Sequence, residues 1–201
     1  MSSRQRALAV VAGVLTNDAG DVLLAQRATG SEAGNWEFAG GKLRVGELPK
    51  AALARELKEE LGIDVHSAQW VCCVRWRGPP RALNLHTYQI FEWSGEPTAH
   101  EHRALQWVAP TRLLQFPMPA PDRPIRARLA LPQHYLITPE PGDPEVFLGD
   151  LSRALANPLI GIVSLRAKLM SSDALAGLAA RFLARARAVR PELVILIHGE
   201  I

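Results

Sequence analysis

Residues 41–63 read GKLRVGELPKAALARELKEELGI, a short loop running into a stretch with helical character. Pro49 suits a first helical turn, the run Ala51-Ala52-Leu53-Ala54 has high helix propensity, and Gly62 suits a helix end. These residues predict a helix from Pro49 to Leu61. Within it Leu53, Leu57 and Leu61 recur at i, i+4 and i+8 and form a core-facing stripe. Glu56, Glu59 and Glu60 fall on a neighbouring face, where like charges three and four residues apart repel by roughly 0.2–0.5 kcal/mol per pair. Arg55 can relieve Glu59 but not all three. Mg²⁺, a hard cation that takes oxygen ligands and keeps positions open for water and substrate phosphates, would resolve the conflict. Glu47, in the entering loop, adds a fourth carboxylate or braces the turn. Taken alone, such a run more commonly means a solvated Glu/Arg/Lys helix face.

The spacing argues for the first meaning. The stretch fits the pattern G-x5-E-x7-R-E-U-x-E-E-x-G-U, with U aliphatic, through Gly41, Glu47, Arg55, Glu56, Leu57, Glu59, Glu60, Gly62 and Ile63. This is a complete Nudix box, and the chain resembles the Nudix hydrolase family. Within that family it is similar to the MutT-type diphosphatases, which remove pyrophosphate from nucleoside triphosphates such as 8-oxo-dGTP. The likeness runs from about Ala7 to Leu131. Outside the box it rests on Gln26-Arg27 closing a strand, on the Trp-Glu-Phe-x-Gly-Gly-Lys entry at Trp36 to Lys42, and on Phe116-Pro117-Met118-Pro119.

The resemblance implies an α/β/α sandwich around a mixed sheet and a metal-dependent hydrolysis, with Mg²⁺ as cofactor and Mn²⁺ as its alternative. Carried over by position, Glu56, Glu59 and Glu60 are metal ligands, assisted by the carbonyl of Gly41. Glu101 stands where the subgroup has a further carboxylate that binds metal or acts as base. Glu59 or Glu101 takes the proton of the attacking water, and Arg55 orients the carboxylates. Arg27 meets phosphate and Phe38 lines the base pocket. Against these stand plainer readings of Arg27 as a surface arginine and of Glu101 as an exposed loop acid. His100 and His102 read as loop residues rather than ligands.

Two positions depart from the subgroup. Ala39 replaces a proline, which changes loop stiffness more than chemistry. Asp122 replaces an asparagine that reads the oxidised guanine. An amide donates and accepts, whereas an ionised carboxylate only accepts, so guanine O6 loses its donor unless Asp122 is protonated. The implied substrate is a nucleoside triphosphate, (8-oxo-)dGTP first. The alternatives are a thiamine-pathway diphosphate and a sensing module that binds nucleotide without turnover.

Composition is compatible with this. The 201 residues suffice for one full domain and part of a second, and 48% hydrophobic residues supply a core. The net charge is +3, carried by 19 arginines and four lysines, and the arginine fork is the better phosphate ligand. No basic stripe with interleaved aromatics appears, which argues against a stable nucleic-acid partner. Cys72 and Cys73 are adjacent in a predicted strand and point to opposite faces, so they suggest neither a disulfide framework nor a zinc site. Arg4 and Arg6 ahead of Ala7 to Leu15 mimic a signal peptide, but no small-residue cleavage site follows, and a buried strand is expected there. No apolar run approaches the roughly 20 residues of a membrane span, so a cytoplasmic protein without membrane contact is expected.

In chain order, Ala7 to Leu15 and Val22 to Gln26 are strand-length apolar runs around Asn17-Asp18-Ala19-Gly20, which predicts a hairpin. Ala68 to Arg77 and Ala82 to Trp93 form a second hairpin through Gly78-Pro79-Pro80, and Leu105 to Val108 a further strand. After a proline-rich passage, Arg126 to Leu131 reads as a short helix. The layout is α+β, with a first domain over residues 1–131.

Residues 132–201 form a second segment. Strands at Tyr135 to Thr138, Gly161 to Leu165 and Leu193 to Ile197 alternate with helices at Glu145 to Leu155 and Asp173 to Val189, which signals parallel βαβ units. This segment resembles the start of thiamine phosphate synthase, a (β/α)8 barrel, through Tyr135-Leu136-Ile137-Thr138-Pro139 and Ser164-Leu165-Arg166-Ala167-Lys168. About the first third of such a barrel is represented. Arg166 and Lys168 match that family's diphosphate pair, while Ser164 and His198 replace its Gln and Asn, so synthase activity is not expected. An incomplete barrel exposes a sheet edge, a route to oligomer formation.

Overall fold

The computed structural model describes residues 7–79, 81–132 and 134–198. The chain falls into two compact units, Met1–Ala130 and Leu131–Ile201. Arg4, Arg6 and Pro80, used in the sequence reading, lie outside the described residues.

In the first unit a mixed sheet has β1 (Leu8–Leu15) parallel to β5 (Leu83–Ser94), which pairs antiparallel with β4 (Asp64–Trp76). A second, antiparallel sheet has the order β3 (Trp36–Glu37), β2 (Val22–Arg27), β6 (His102–Val108). The expected β4–β5 hairpin is present, with β4 beginning earlier at Asp64. The expected β1–β2 hairpin is not. The turn forms, with the Asp21 amide donating to Asn17 Oδ1 at 2.9 Å, but beyond the single bridge Thr16↔Val22 the strands part into different sheets. The reason lies in the edges of β1. One edge pairs with β5 from Leu8↔Leu83 to Leu15↔Ile90. The other is filled by residues 39–43: Val11 donates to Gly41 O, Gly13 to Ala39 O and Leu43 to Ala9 O, at 2.9, 2.9 and 3.1 Å. No edge is left for β2.

Helix α1 spans Pro49–Leu61, as predicted, and Gly62 closes it in the left-handed region at φ 75°. Leu53, Leu57 and Leu61 are fully buried against Val11, Leu15, Ile63 and Ile90. Burial of this kind is worth about 1.5–3 kcal/mol per leucine. The opposite face of β1 packs Ala12 and Val14 against Leu113, Met118 and Ile125. These come from a 3-10 turn (Pro110–Gln115), the segment after it, and α2 (Arg123–Ala130), so helices cover both faces of the sheet. Among the described residues no helix is long and apolar enough to cross a membrane.

The second unit is a parallel sheet ordered β7 (His134–Ile137), β8 (Ile160–Arg166), β9 (Val194–His198), with α3 (Pro144–Leu155) and α4 (Ser172–Val189) between its strands. Asp143 caps α3 and Ser171 caps α4 through side-chain acceptors. Leu151, Leu155, Val163, Leu165 and Phe182 form its core. It is not a closed barrel.

Candidate active site

The loop that enters α1 is shaped by two glycines. Gly40 adopts φ 149°, and a Cβ there would stand 2.2 Å from Val11 O. A Cβ on Gly41 would stand 2.4 Å from the Glu56 carboxylate. Backbone and acid approach each other here as closely as glycine alone permits.

Behind the loop, Arg55 organises the acids. Its Nε and one terminal nitrogen donate to both oxygens of Glu47, each at 2.9 Å. The other terminal nitrogen donates to Glu56 at 2.8 Å and to Glu59 at 3.0 Å. Arg55 thus relieves two of the three helix acids, where the spacing suggested one. Glu47 is the brace rather than a free fourth acid. The Arg55 hydrogen bonds and the Arg44 amide hold its carboxyl down at about 2. Glu59 has its other oxygen on Arg44 at 3.2 Å.

Glu60 points the other way. It accepts from the Gly40 amide at 2.8 Å, and burial, helped by the charges of Glu37 and Glu56, pushes its carboxyl up to about 7. Among the described residues no three acid, histidine or cysteine side chains converge into a ready metal cage, because Glu56 and Glu59 face Arg55 while Glu60 faces Gly40. The donors nonetheless fit a hard divalent cation. They are oxygens only, and burial with the Glu37 and Glu56 charges opposes ionisation of Glu60 beyond what the His102 ring at 4.0 Å offsets, a balance that a bound cation would reverse. Gly41 O already accepts from Val11, which leaves one lone pair free.

A chain of polar groups missed in the sequence reading continues from Glu60. His102 is not a loop residue. It opens β6 with a side chain 5% exposed, its Nε2 lying 3.3 Å from Glu37 and 4.0 Å from Glu60. Burial works against its charged form, and the Glu37 hydrogen bond with the charges of Glu60 and Glu37 outweighs it, so its pKa is raised. Glu37 in turn pairs with Arg27, whose buried Nε has no hydrogen-bond partner among the described residues. The sequence signal was weak: Glu37 sits in the Trp-Glu-Phe stretch, but its partners are 10 and 65 residues away. His100 does remain in the loop, against Thr98.

Glu101 is carried to the site by that loop. The Thr98 and His100 amides donate to Leu61 O and Glu60 O at 3.0 and 3.1 Å, so the chain end of α1 holds it in place. On the far side Asp122, 7% exposed, accepts from the Phe38 amide at 3.4 Å. Burial and the Glu37 charge push its carboxyl up to about 7.

Arg27, Phe38, Gly41, Glu56, Glu60, Glu101 and Asp122 all line one cleft of about 700 Å³. Arg55 and Glu59 stand outside that lining. In the second unit Arg166 and Lys168 are exposed, Ser164 is buried, and Glu140 accepts from the amides of Lys168 and Leu169 at 3.1 and 2.7 Å.

Comparison with known proteins gives the same answer for the first unit. The NUDIX domain family matches residues 6–129. The CTP pyrophosphohydrolase of Escherichia coli (strain K12) is 42% identical over 117 residues, 58% of this chain and 86% of that protein. The 8-oxo-dGTP diphosphatase of Haemophilus influenzae is 36% identical over 105 residues, 52% of this chain and 77% of that protein. Among solved structures, that of the E. coli ORF135 protein matches with a TM-score of 0.56 at 38% identity, covering 64% of this chain and 96% of that one.

Proposed function

Because the chain belongs to the NUDIX family and is a Nudix diphosphatase, we propose that its substrate is a nucleoside triphosphate, cleaved to the monophosphate and pyrophosphate. The observation that carries this reading is the shared cleft. Glu56, Glu60 and Glu101 stand in it together with Arg27 for phosphate and with Phe38 and Asp122 for a base.

When bound, Mg²⁺ or Mn²⁺ neutralises phosphate charge, polarises the phosphorus under attack and lowers the pKa of water. Glu56, Glu59 and Glu60, with the Gly41 carbonyl, would hold it. Glu101, on the cleft wall, or Glu59 takes the proton of the attacking water. Arg55 keeps the acids in register through Glu47, Glu56 and Glu59. Arg27, steadied by Glu37, meets phosphate.

For the base, (8-oxo-)dGTP is the first reading, supported by the 8-oxo-dGTP diphosphatases among the relatives; removal of 8-oxo-dGTP from the nucleotide pool would then be its role. CTP is the second. It is favoured by the identity to a CTP pyrophosphohydrolase and by Asp122, since a carboxylate accepts well from the cytosine amino group. A thiamine-pathway diphosphate has only the second segment behind it. The test is metal-dependent pyrophosphate release from 8-oxo-dGTP, dGTP, CTP, other nucleotides and thiamine-pathway diphosphates. Glu60→Gln should lower turnover at saturating Mg²⁺ by about a hundredfold or more. Near-normal turnover in that variant, or release from no nucleotide, would sink the proposal.

A further inference from the structure

The pairing of β2 with β6 breaks step at one place. Leu24↔Gln106, Ala25↔Leu105 and Gln26↔Ala104 run in regular antiparallel register, and continuing it would set Arg27 opposite Arg103, a like charge. The chain avoids this. The register shifts after Gln26, Arg103 is passed over as a bulge and left exposed, and His102 stands opposite Arg27 instead. Bulges of this kind re-aim a side chain and are over-represented beside active sites.

Glu37 meets both residues from the other edge of β2. It pairs with Ala25, which makes it a diagonal neighbour of Arg27 on the same face, within reach of a long side chain. One of its oxygens accepts from Arg27 Nη1, and the other lies 3.3 Å from His102 Nε2. Three strands thus contribute one residue each to a row in the order His102, Glu37, Arg27.

The row leaves one edge of the guanidinium unmade. Nε and Nη2 together form the side-on edge that matches two oxygens of a carboxylate or a phosphate. Arg55 closes that edge on Glu47, at 2.9 Å from each nitrogen. Arg27, which lines the cleft, commits Nη1 to Glu37, while its buried Nε and its Nη2 make no hydrogen bond among the described residues. A buried donor left unpaired is a cost that a ligand can remove. We propose that Glu37 and His102 are positioning residues: His102 fixes Glu37, and Glu37 holds Arg27 by Nη1 so that the Nε and Nη2 edge stays open for two oxygens of the substrate's phosphates. Neither touches substrate; both act through Arg27. The assignment deepens the nucleoside triphosphate reading above and rests on it.

The test uses the full chain and two readouts. The first is kcat and KM with the nucleoside triphosphate turned over best, for the wild type, Arg27→Ala, Glu37→Ala, Glu37→Gln and His102→Ala. Two double variants add Arg27→Ala to Glu37→Ala and to His102→Ala. A hydrogen bond to a charged group is worth about tenfold or more in affinity. Arg27→Ala and Glu37→Ala should each raise KM by about that factor, and His102→Ala by less. Glu37→Gln should recover part of the loss, because its carbonyl still accepts from Nη1. Each double variant should match Arg27→Ala alone, whereas independent losses would multiply. The second readout needs no nucleotide. The Arg27 Nε–H signal in heteronuclear NMR, assigned by its absence in Arg27→Ala, should be protected from exchange with water in the wild type and exposed to it in Glu37→Ala and His102→Ala.

His102 also lies 4.0 Å from Glu60, so it has a rival duty there. If Glu37→Ala or His102→Ala costs as much on the Arg27→Ala background as in the wild type, that residue serves Glu60 or the fold, and the assignment falls while the nucleotide reading stands. Unchanged Nε–H protection in the variants overturns it as well. Should circular dichroism show that Glu37→Ala does not fold, His102→Ala carries both readouts. If the wild type turns over no nucleoside triphosphate, the nucleotide reading falls and takes the phosphate assignment with it, and the Nε–H signal alone then decides whether Glu37 and His102 hold Arg27.

Discussion

Asp122 offers a test that needs no substrate. Its carboxyl rises from an ordinary 3.8 to about 7, chiefly because burial disfavours the charged form. A group raised in the folded state contributes stability that is fully present below its unfolded pKa and is lost as pH rises through its folded pKa. The wild type should therefore lose stability between about pH 4 and pH 8 relative to Asp122→Asn, whose amide does not titrate. At about 1.36 kcal/mol per pH unit, the whole effect is about 4 kcal/mol, and the portion between pH 5 and pH 8 is about 2–3 kcal/mol. Other carboxylates titrate in both proteins and cancel in the comparison. Urea unfolding at pH 5, 6, 7 and 8 followed by tryptophan fluorescence measures it cleanly, because Trp36, Trp70, Trp76, Trp93 and Trp107 all lie in the first unit. The gap between variant and wild type should widen from pH 5 to pH 7 and level off by pH 8. Parallel curves across the range would refute the argument, because they would mean that Asp122 ionises as freely folded as unfolded.

Two further outcomes follow from the loop and its brace. Gly41→Ala places a methyl 2.4 Å from the Glu56 carboxyl carbon and should weaken Mn²⁺ binding, measured by calorimetry, while the circular dichroism of the fold is kept. Glu47→Gln removes the carboxylate that holds Nε and one terminal nitrogen of Arg55. It should cost about 10–100-fold in metal affinity or turnover, as loss of an outer partner does, with Glu47→Asp recovering part of it.

The parts of this protein that could be read from its sequence are those with local causes. Pro49, the leucine stripe and Gly62 bound α1 to the residue because each acts within a few positions of itself. The alternation of strands and helices after His134 is legible for the same reason. Partner choice between strands is different. The run Leu8–Leu15 is apolar on both faces, so nothing in it says which strand lies beside it, and the nearest candidate in sequence was the wrong one. His102 was hidden by distance. Its meaning comes from Glu37 and Glu60, which only the meeting of β6, β3 and α1 brings near. The box acids were legible as a set, but their division between Arg55 and Gly40 depends on a loop whose path is decided by β1.

That path has a kinetic consequence. Residues 39–43 are bonded to Ala9, Val11 and Gly13 as an extra strand would be. Lifting the glycine turn means breaking sheet hydrogen bonds in the most buried part of the unit. The amides of Val11, Gly13 and Leu43 should then exchange with deuterium only when the unit unfolds as a whole, as slowly as those inside α1. The glycine turn beside the box acids is a fixed floor of the cleft, and any gating of that cleft has to come from its other walls.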